Sequence, residues 1–367
     1  MKPGGPVGGV SQSGREDRGV DAGRRLEGSR RILVVKLRYI GDSIWTLPFL
    51  ANLADNLPSA ELAVLAPRGA EGFFRRLPHV HSLFSYTGPG SNAGISSIPG
   101  FLSLVRDLRR YGPDTAIDLT DSDRPALLAY LSGARLRITY APHDKPRNLL
   151  FTHVVRPRPG SHMLGYHLDF LRSLGLRVSD ERIILPPDPD ATERLLGRVP
   201  ALGGRDGRKR IVVHPGARVP LREWGAEKFA RLIDSLGERY RVFLVAGPGE
   251  DGVLQEVARQ LHVHADVCPT NLGVDEFAAL CGEADLFVGN DSGPIHIAAT
   301  RTFVVGIYGP NTDELAGPWT ENKRIFEVEG LPCRPCDQRK CVNPEYKACL
   351  ERISPEEVAA AIRDILG

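Results

Sequence analysis

Short apolar runs alternate with helical patterns along most of the chain. In the first half, runs at 32–37, 61–66, 80–84, 115–119 and 137–140 have the length of buried strands, and stretches at 43–56, 69–77, 98–111 and 124–131 read as helices. Such alternation predicts a parallel sheet covered on both faces. Residues 185–190, LPPDPD, are poor in helix and strand formers and read as a linker. The alternation then resumes, with strands at 210–213, 242–246, 286–288 and 303–308, and helices near 227–236, 253–261, 275–281 and from 294 onward. Ser354, Pro355 and Glu357 form a helix-start signature, so a helix is expected over 353–367. The expected fold class is α/β: two doubly wound, Rossmann-like domains, 31–187 and 188–352, facing an interdomain cleft. Open parallel sheets bind ligands beyond the carboxyl ends of their strands.

A length of 367 residues suits two domains, and 42% hydrophobic with 25% charged residues is an ordinary globular composition. No apolar run reaches the ~18 residues of a membrane-spanning helix. Residues 1–30 are rich in glycine and charge and lack the apolar core of a signal peptide, which predicts a disordered tail on a cytoplasmic protein. The net charge of +2 conceals a division: 31–187 holds 19 Lys/Arg against 13 Asp/Glu, whereas 188–367 holds 22 against 28. A basic first half could attract an anionic acceptor or an anionic membrane surface, with Arg106, Arg109 and Arg110 clustered on one helix; ordinary solvated surface is the equal alternative. Nucleic acid is disfavoured, since the chain has neither a strongly basic domain nor a binding motif.

Three stretches carry candidate chemistry. In KLRYIGDSIWTLP (36–48), Gly41-Asp42-Ser43 follows the first strand, where α/β proteins present catalytic groups; a plain helix cap is the competing reading. In LFVGNDSGPIHIAA (286–299), a strand runs into a glycine turn and a helix start, whose free amides suit a diphosphate. Gly293 allows close approach, and Ser292 and His296 can donate hydrogen bonds; by itself His296 reads as a structural histidine. Asp291 would repel phosphate, so it should orient backbone amides or bind sugar hydroxyls. In HPGARVPLREWGAEKFARLI (214–233), Arg218 or Arg222 could neutralise a leaving diphosphate, and Trp224 reads as core packing.

The segments IGDSIWTLP, PGARVPLREWGAEKFARLI, GNDSGPIHIAA and VVGIYGP resemble, in order and spacing, the heptosyltransferase family of lipopolysaccharide core synthesis, glycosyltransferase family 9. The likeness extends over nearly all of 31–366. It implies the GT-B architecture, an ADP-sugar donor, no cofactor or metal for catalysis, and an anionic glycolipid acceptor reached by peripheral contact at the inner face of the plasma membrane. It also implies that Asp42 is the general base of an inverting transfer. Arg222, Glu250, Asp291, Ser292, Gly293 and His296 then contact the donor. Members often carry Lys ahead of an Arg-Trp pair; here Arg222 takes the Lys place and Glu223 replaces the Arg.

Residues 247–252 match GxGxxG, the basis of an alternative reading as an NAD-dependent oxidoreductase, but the match is weak and two acidic residues in the loop oppose a pyrophosphate. A non-catalytic nucleotide-sugar-binding protein is the third reading. Asp121-Ser122-Asp123 resembles a metal-binding DxD yet lies in the acceptor half, so a solvated turn or acceptor contacts are expected. Cys268 and Cys281 read as isolated core thiols. The segment 333–349 concentrates Cys333, Cys336, Cys341 and Cys349, a set that favours a structural zinc or iron site over free thiols or disulfides.

Overall fold

Every strand pairing among the described residues is parallel. The structure, a computed structural model, describes residues 21–87, 98–156, 162–204, 206–336 and 339–367. The chain divides into two units: residues 1–39 with 45–182, and residues 40–44 with 183–367.

The first unit contains β1 (Arg31–Val35), β2 (Glu61–Pro67), β3 (Val80–Tyr86), β4 (Thr115–Asp118), β5 (Leu136–Tyr140) and β6 (His153–Val155), in the order β3-β2-β1-β4-β5-β6. The second contains β7 (Lys209–His214), β8 (Tyr240–Leu244), β9 (Asp266–Val267), β10 (Leu286–Asn290), β11 (Phe303–Tyr308) and β12 (Lys323–Glu327), in the order β12-β11-β10-β7-β8-β9. Read from its other edge, the second sheet repeats the order of the first. Each is the doubly wound Rossmann arrangement, and in each the strand order reverses between two central strands: β1 and β4, then β7 and β10. At the carboxyl ends of those strands lie Lys36, Asp118, His214 and Asn290, all buried.

Central strands are apolar on both faces because helices cover both. In β1, Ile32, Leu33, Val34 and Val35 are all fully buried. The Ala226–Leu236 helix buries Phe229, Ala230, Leu232, Ile233 and Leu236, spaced to form a single stripe. The Pro355–Leu366 helix adds Val358, Ala359 and Ile362 to the same core. Ser354 caps it reciprocally with Glu357: its Oγ accepts from the Glu357 N–H at 3.1 Å, and its own N–H donates to the Glu357 carboxylate at 3.4 Å.

Several elements depart from the sequence pattern. Residues 21–26 form a helix with Ala22 and Leu26 fully buried, and Ser29 Oγ meets Thr115 Oγ1 at 2.6 Å, so the expectation of a disordered tail is corrected over 21–30. Residues 1–20 lie outside the described residues. The helix expected from 43 begins at Thr46, after a 3-10 turn over Gly41–Trp45. The LPPDPD stretch leads directly into a Pro189–Arg198 helix, with Asp188 as its N-cap accepting from the Ala191 N–H at 3.1 Å. Helix Met163–Ser173 and strands β6, β9 and β12 were absent from the pattern. The strands are edge or near-edge pieces, short or charged, with little apolar alternation to reveal them.

Candidate active site

In the second unit the turns after β7 and β10 meet at the point where strand order reverses. Asn290, fully buried, ties them together. Its Nδ2 donates to the Pro215 carbonyl at 2.7 Å and the Gly216 carbonyl at 3.3 Å, and its Oδ1 accepts from the Trp224 N–H at 3.1 Å. One amide thus fixes both turns and the entry to the Ala226–Leu236 helix. In the sequence it reads only as a turn residue, its one signal being an amide at the carboxyl end of an apolar strand.

Asp291 follows, 1% exposed. Burial raises its carboxyl to about 6, against the opposing pull of Arg222 and an Asn311 hydrogen bond, and the Asp42 carboxylate adds to the rise. Arg222 Nη1 stands 3.3 Å from both Asp291 Oδ2 and the Asp291 carbonyl oxygen. The Oδ2 contact is an ion pair without hydrogen-bond alignment. Arg222 is therefore anchored at the β10 turn, and Asp291 faces a cation.

Ser292 is the N-cap residue of the short Gly293–Ala298 helix, yet its hydroxyl makes no capping bond. The Oγ atom is buried and has no hydrogen-bond partner among the described residues. A buried hydroxyl left unmatched costs roughly 1–3 kcal/mol, an expense a ligand acceptor would relieve. His296, on the same helix, is 4% exposed. Segment 40–44 belongs to this unit, and Gly41 lies directly on Gly293: a Cβ on Gly41 would stand 2.2 Å from the Gly293 Cα. Only glycine fits there. Asp42 is half-buried in this segment, and its neighbour Ser43 is fully buried.

Glu250 closes another side. Its Oε2 accepts from the Gly247 N–H at 2.8 Å and lies 3.3 Å from His214 Nε2. Burial lowers the His214 pKa, opposed by the Glu250 charge. A Cβ on Gly216 would stand 2.4 Å from Glu250 Oε2, so the carboxylate rests on bare backbone. The GxGxxG-like loop is thereby occupied by its own acidic side chain. Arg218 is exposed, and Trp224 is a core residue, 1% exposed, donating from Nε1 to the Ile353 carbonyl at 3.2 Å.

The first unit holds a different set at its own strand reversal. Asp118, fully buried, has its carboxyl raised by burial to about 7, although it accepts from the Thr120 N–H at 2.9 Å. Lys36 Nζ sits 3.5 Å from His167 Nε2, and burial, with Lys36 second, pushes the His167 pKa well down. None of these three stood out in the sequence. The DxD stretch is locked by Arg147, which reaches Asp121 Oδ1 at 2.6 Å and Asp123 Oδ1 at 3.1 Å.

Cys333, Cys336, Cys341 and Cys349 line one pocket, together with Arg334 and Lys347. All four are free thiols, and the other three help raise the pKa of Cys349, after burial. Among the described residues, however, no group of three His, Cys, Asp or Glu side chains is arranged to hold an ion. Cys268 and Cys281 are buried apart from them; burial raises Cys268 to about 12 and Cys281 further. No described helix is long and apolar enough to cross a membrane.

The model of glycosyltransferase family 9 (heptosyltransferase) matches residues 101–347. Lipopolysaccharide heptosyltransferase 3 of Escherichia coli K12 is 29% identical over 338 residues, covering 90% of this chain and 96% of that protein. Among solved structures, a family 9 glycosyl transferase from Veillonella parvula superposes with a TM-score of 0.80 at 23% identity, covering 92% of this chain and 97% of the other. The E. coli ADP-heptose lps heptosyltransferase II gives 0.74 at 20% identity, covering 92% and 98%.

Proposed function

Because the chain belongs to glycosyltransferase family 9, the heptosyltransferases, we propose that it moves heptose from ADP-heptose to a lipopolysaccharide-core acceptor with inversion at the anomeric carbon. The observation that carries this reading is the set of groups in the second unit: an unmatched Ser292 hydroxyl, an anchored Arg222 and the Asp42 segment seated on Gly293. The donor diphosphate would take the Ser292 hydroxyl and the amides near Gly293, with Arg222 offsetting its charge and His296 donating a hydrogen bond.

Asp42 would remove the proton from an acceptor hydroxyl as its oxygen bonds to the anomeric carbon. The bond from that carbon to the phosphate oxygen breaks, and ADP leaves with the electron pair. Asp291, raised to about 6 by burial, would not bind phosphate; it holds Arg222 at the turn. Glu250, already placed by the Gly247 amide, would accept from ribose hydroxyls. This chemistry asks for no metal. A zinc or iron ion on the four cysteines is a separate, structural proposal supported by their shared pocket; it requires the thiols to draw together, and ion-free native protein would remove it.

The relatives' substrate points to an acceptor on the cytoplasmic side of the inner membrane. ADP release measured with ADP-heptose and a core acceptor tests the reading. Asp42→Asn should lower turnover by about 10²-fold or more while leaving donor binding by thermal shift intact. Undiminished turnover in that variant removes the base assignment, and donor binding without transfer to any acceptor favours a non-catalytic binder.

A further inference from the structure

Large apolar side chains are exposed unevenly over the first unit. Of the six among the described residues there, five (Ile98, Leu102, Leu127, Tyr130 and Leu149) belong to three adjoining elements. These are the Ile98–Tyr111 helix, the Asp123–Leu131 helix and the Pro146–Leu150 turn. The same elements bury Val105, Leu108, Ala126 and Leu128 in one core, so their outer faces form one surface. Direct bonds tie them together. Arg109 Nε donates to the Leu131 carbonyl at 2.8 Å, Arg147 clamps Asp123, and Arg137 packs 5.3 Å from the Tyr130 ring centre while donating to the Leu150 carbonyl at 2.7 Å.

The first helix shows why the surface is not ordinary solvated helix. Its inner stripe is complete with Val105 and Leu108, yet Ile98 and Leu102 point outward at 77% and 60% exposure, one turn apart and in line with Arg106. Leu149 is 88% exposed. Across 98–111, 121–131 and 144–150 the chain carries Arg106, Arg109, Arg110, Arg124, Lys145 and Arg147 against Asp107, Asp121, Asp123 and Asp144, with Arg147 tied to Asp121 and Asp123 and the other cations in excess. Apolar anchors amid a surplus of cations match the two requirements of an anionic bilayer: insertion beneath the headgroups and attraction to their charge.

We propose that this face docks the protein onto an anionic phospholipid surface. The choice of a bilayer over a protein partner rests on the glycolipid acceptor proposed above, whereas the surface itself does not. Docking would hold the enzyme where a lipid-anchored acceptor is found.

The test is sedimentation of the full chain with phosphatidylcholine vesicles, with and without phosphatidylglycerol. Native protein should sediment with the anionic vesicles and lose most binding at high salt. The double variant L102E/L149E, altered at two exposed positions, should bind roughly tenfold or more weakly. Its melting temperature should match the native protein, and so should its transfer to a water-soluble acceptor fragment. Leu196→Glu, at an exposed position of the second unit, should bind as native does. Equal binding by native protein and the double variant overturns the proposal. So does absence of vesicle binding, or a native oligomer that L102E/L149E dissociates, which would show a second copy covering this face. Normal transfer to the fragment alongside failed vesicle binding sinks the docking surface alone; the reverse sinks only the transferase reading.

Discussion

The two strand-reversal points have the same topology and opposite chemistry. In the first unit, Asp118, Lys36 and His167 are buried side chains, two of them with pKa values moved far toward the neutral form. In the second, backbone dominates: glycines at 216 and 293 keep the turns bare, Asn290 stitches them, and the Ser292 hydroxyl is left unmatched. A doubly wound sheet dictates where a ligand can bind, but side chains decide what is offered there. The bare turns suit an anion that needs amides and hydroxyls. The other point stores desolvated titratable groups, which make that unit's stability depend on pH.

Three changes would break or sharpen this contrast. The largest effect is expected at Asn290, since replacement by leucine orphans two carbonyls and an amide inside the second unit. Asn290→Leu should lose roughly 3–5 kcal/mol of stability, read by denaturant titration. A loss below about 1 kcal/mol would show that the turns hold without it.

Next is Asp118→Asn. The native carboxyl is raised to about 7 while the unfolded one titrates near 3.8, so the folded state keeps a proton that the unfolded state releases across that window. Native stability therefore falls as pH rises from about 4 to 7 and is level above, a loss of up to roughly 4 kcal/mol. Asp291 contributes in the same direction up to about 6, so the informative quantity is variant minus native. That difference should grow in the variant's favour between pH 4 and 8. A constant difference would mean that Asp118 is ionised throughout.

Ser292→Ala should have the smallest effect and the opposite profile. Removing an unmatched hydroxyl leaves stability unchanged or slightly improved, while ADP binding weakens by about 3- to 10-fold. Lost stability with unchanged ADP affinity would make Ser292 structural.

The strand pattern revealed most of the central elements because strands buried on both faces need an apolar run, as at 32–35 in β1 and 211–213 in β7. It missed β9, two residues long, and β12, KRIFE, because edge strands have no such requirement. Ser292, Gly293 and Asp42 were visible as turns after apolar strands. Asn290 and Asp118 were not, since their importance lies in bonds and burial contributed by residues remote in sequence.

By itself the sequence determined two parallel α/β sheets and the family, because apolar periodicity and local turn motifs act over a few residues. Only the tertiary structure decided that segment 40–44 sits on Gly293 and that Glu250 fills its own glycine loop. Those outcomes depend on distances between chain segments far apart in sequence, and backbone approach within a few ångströms is fixed by packing that no local pattern encodes.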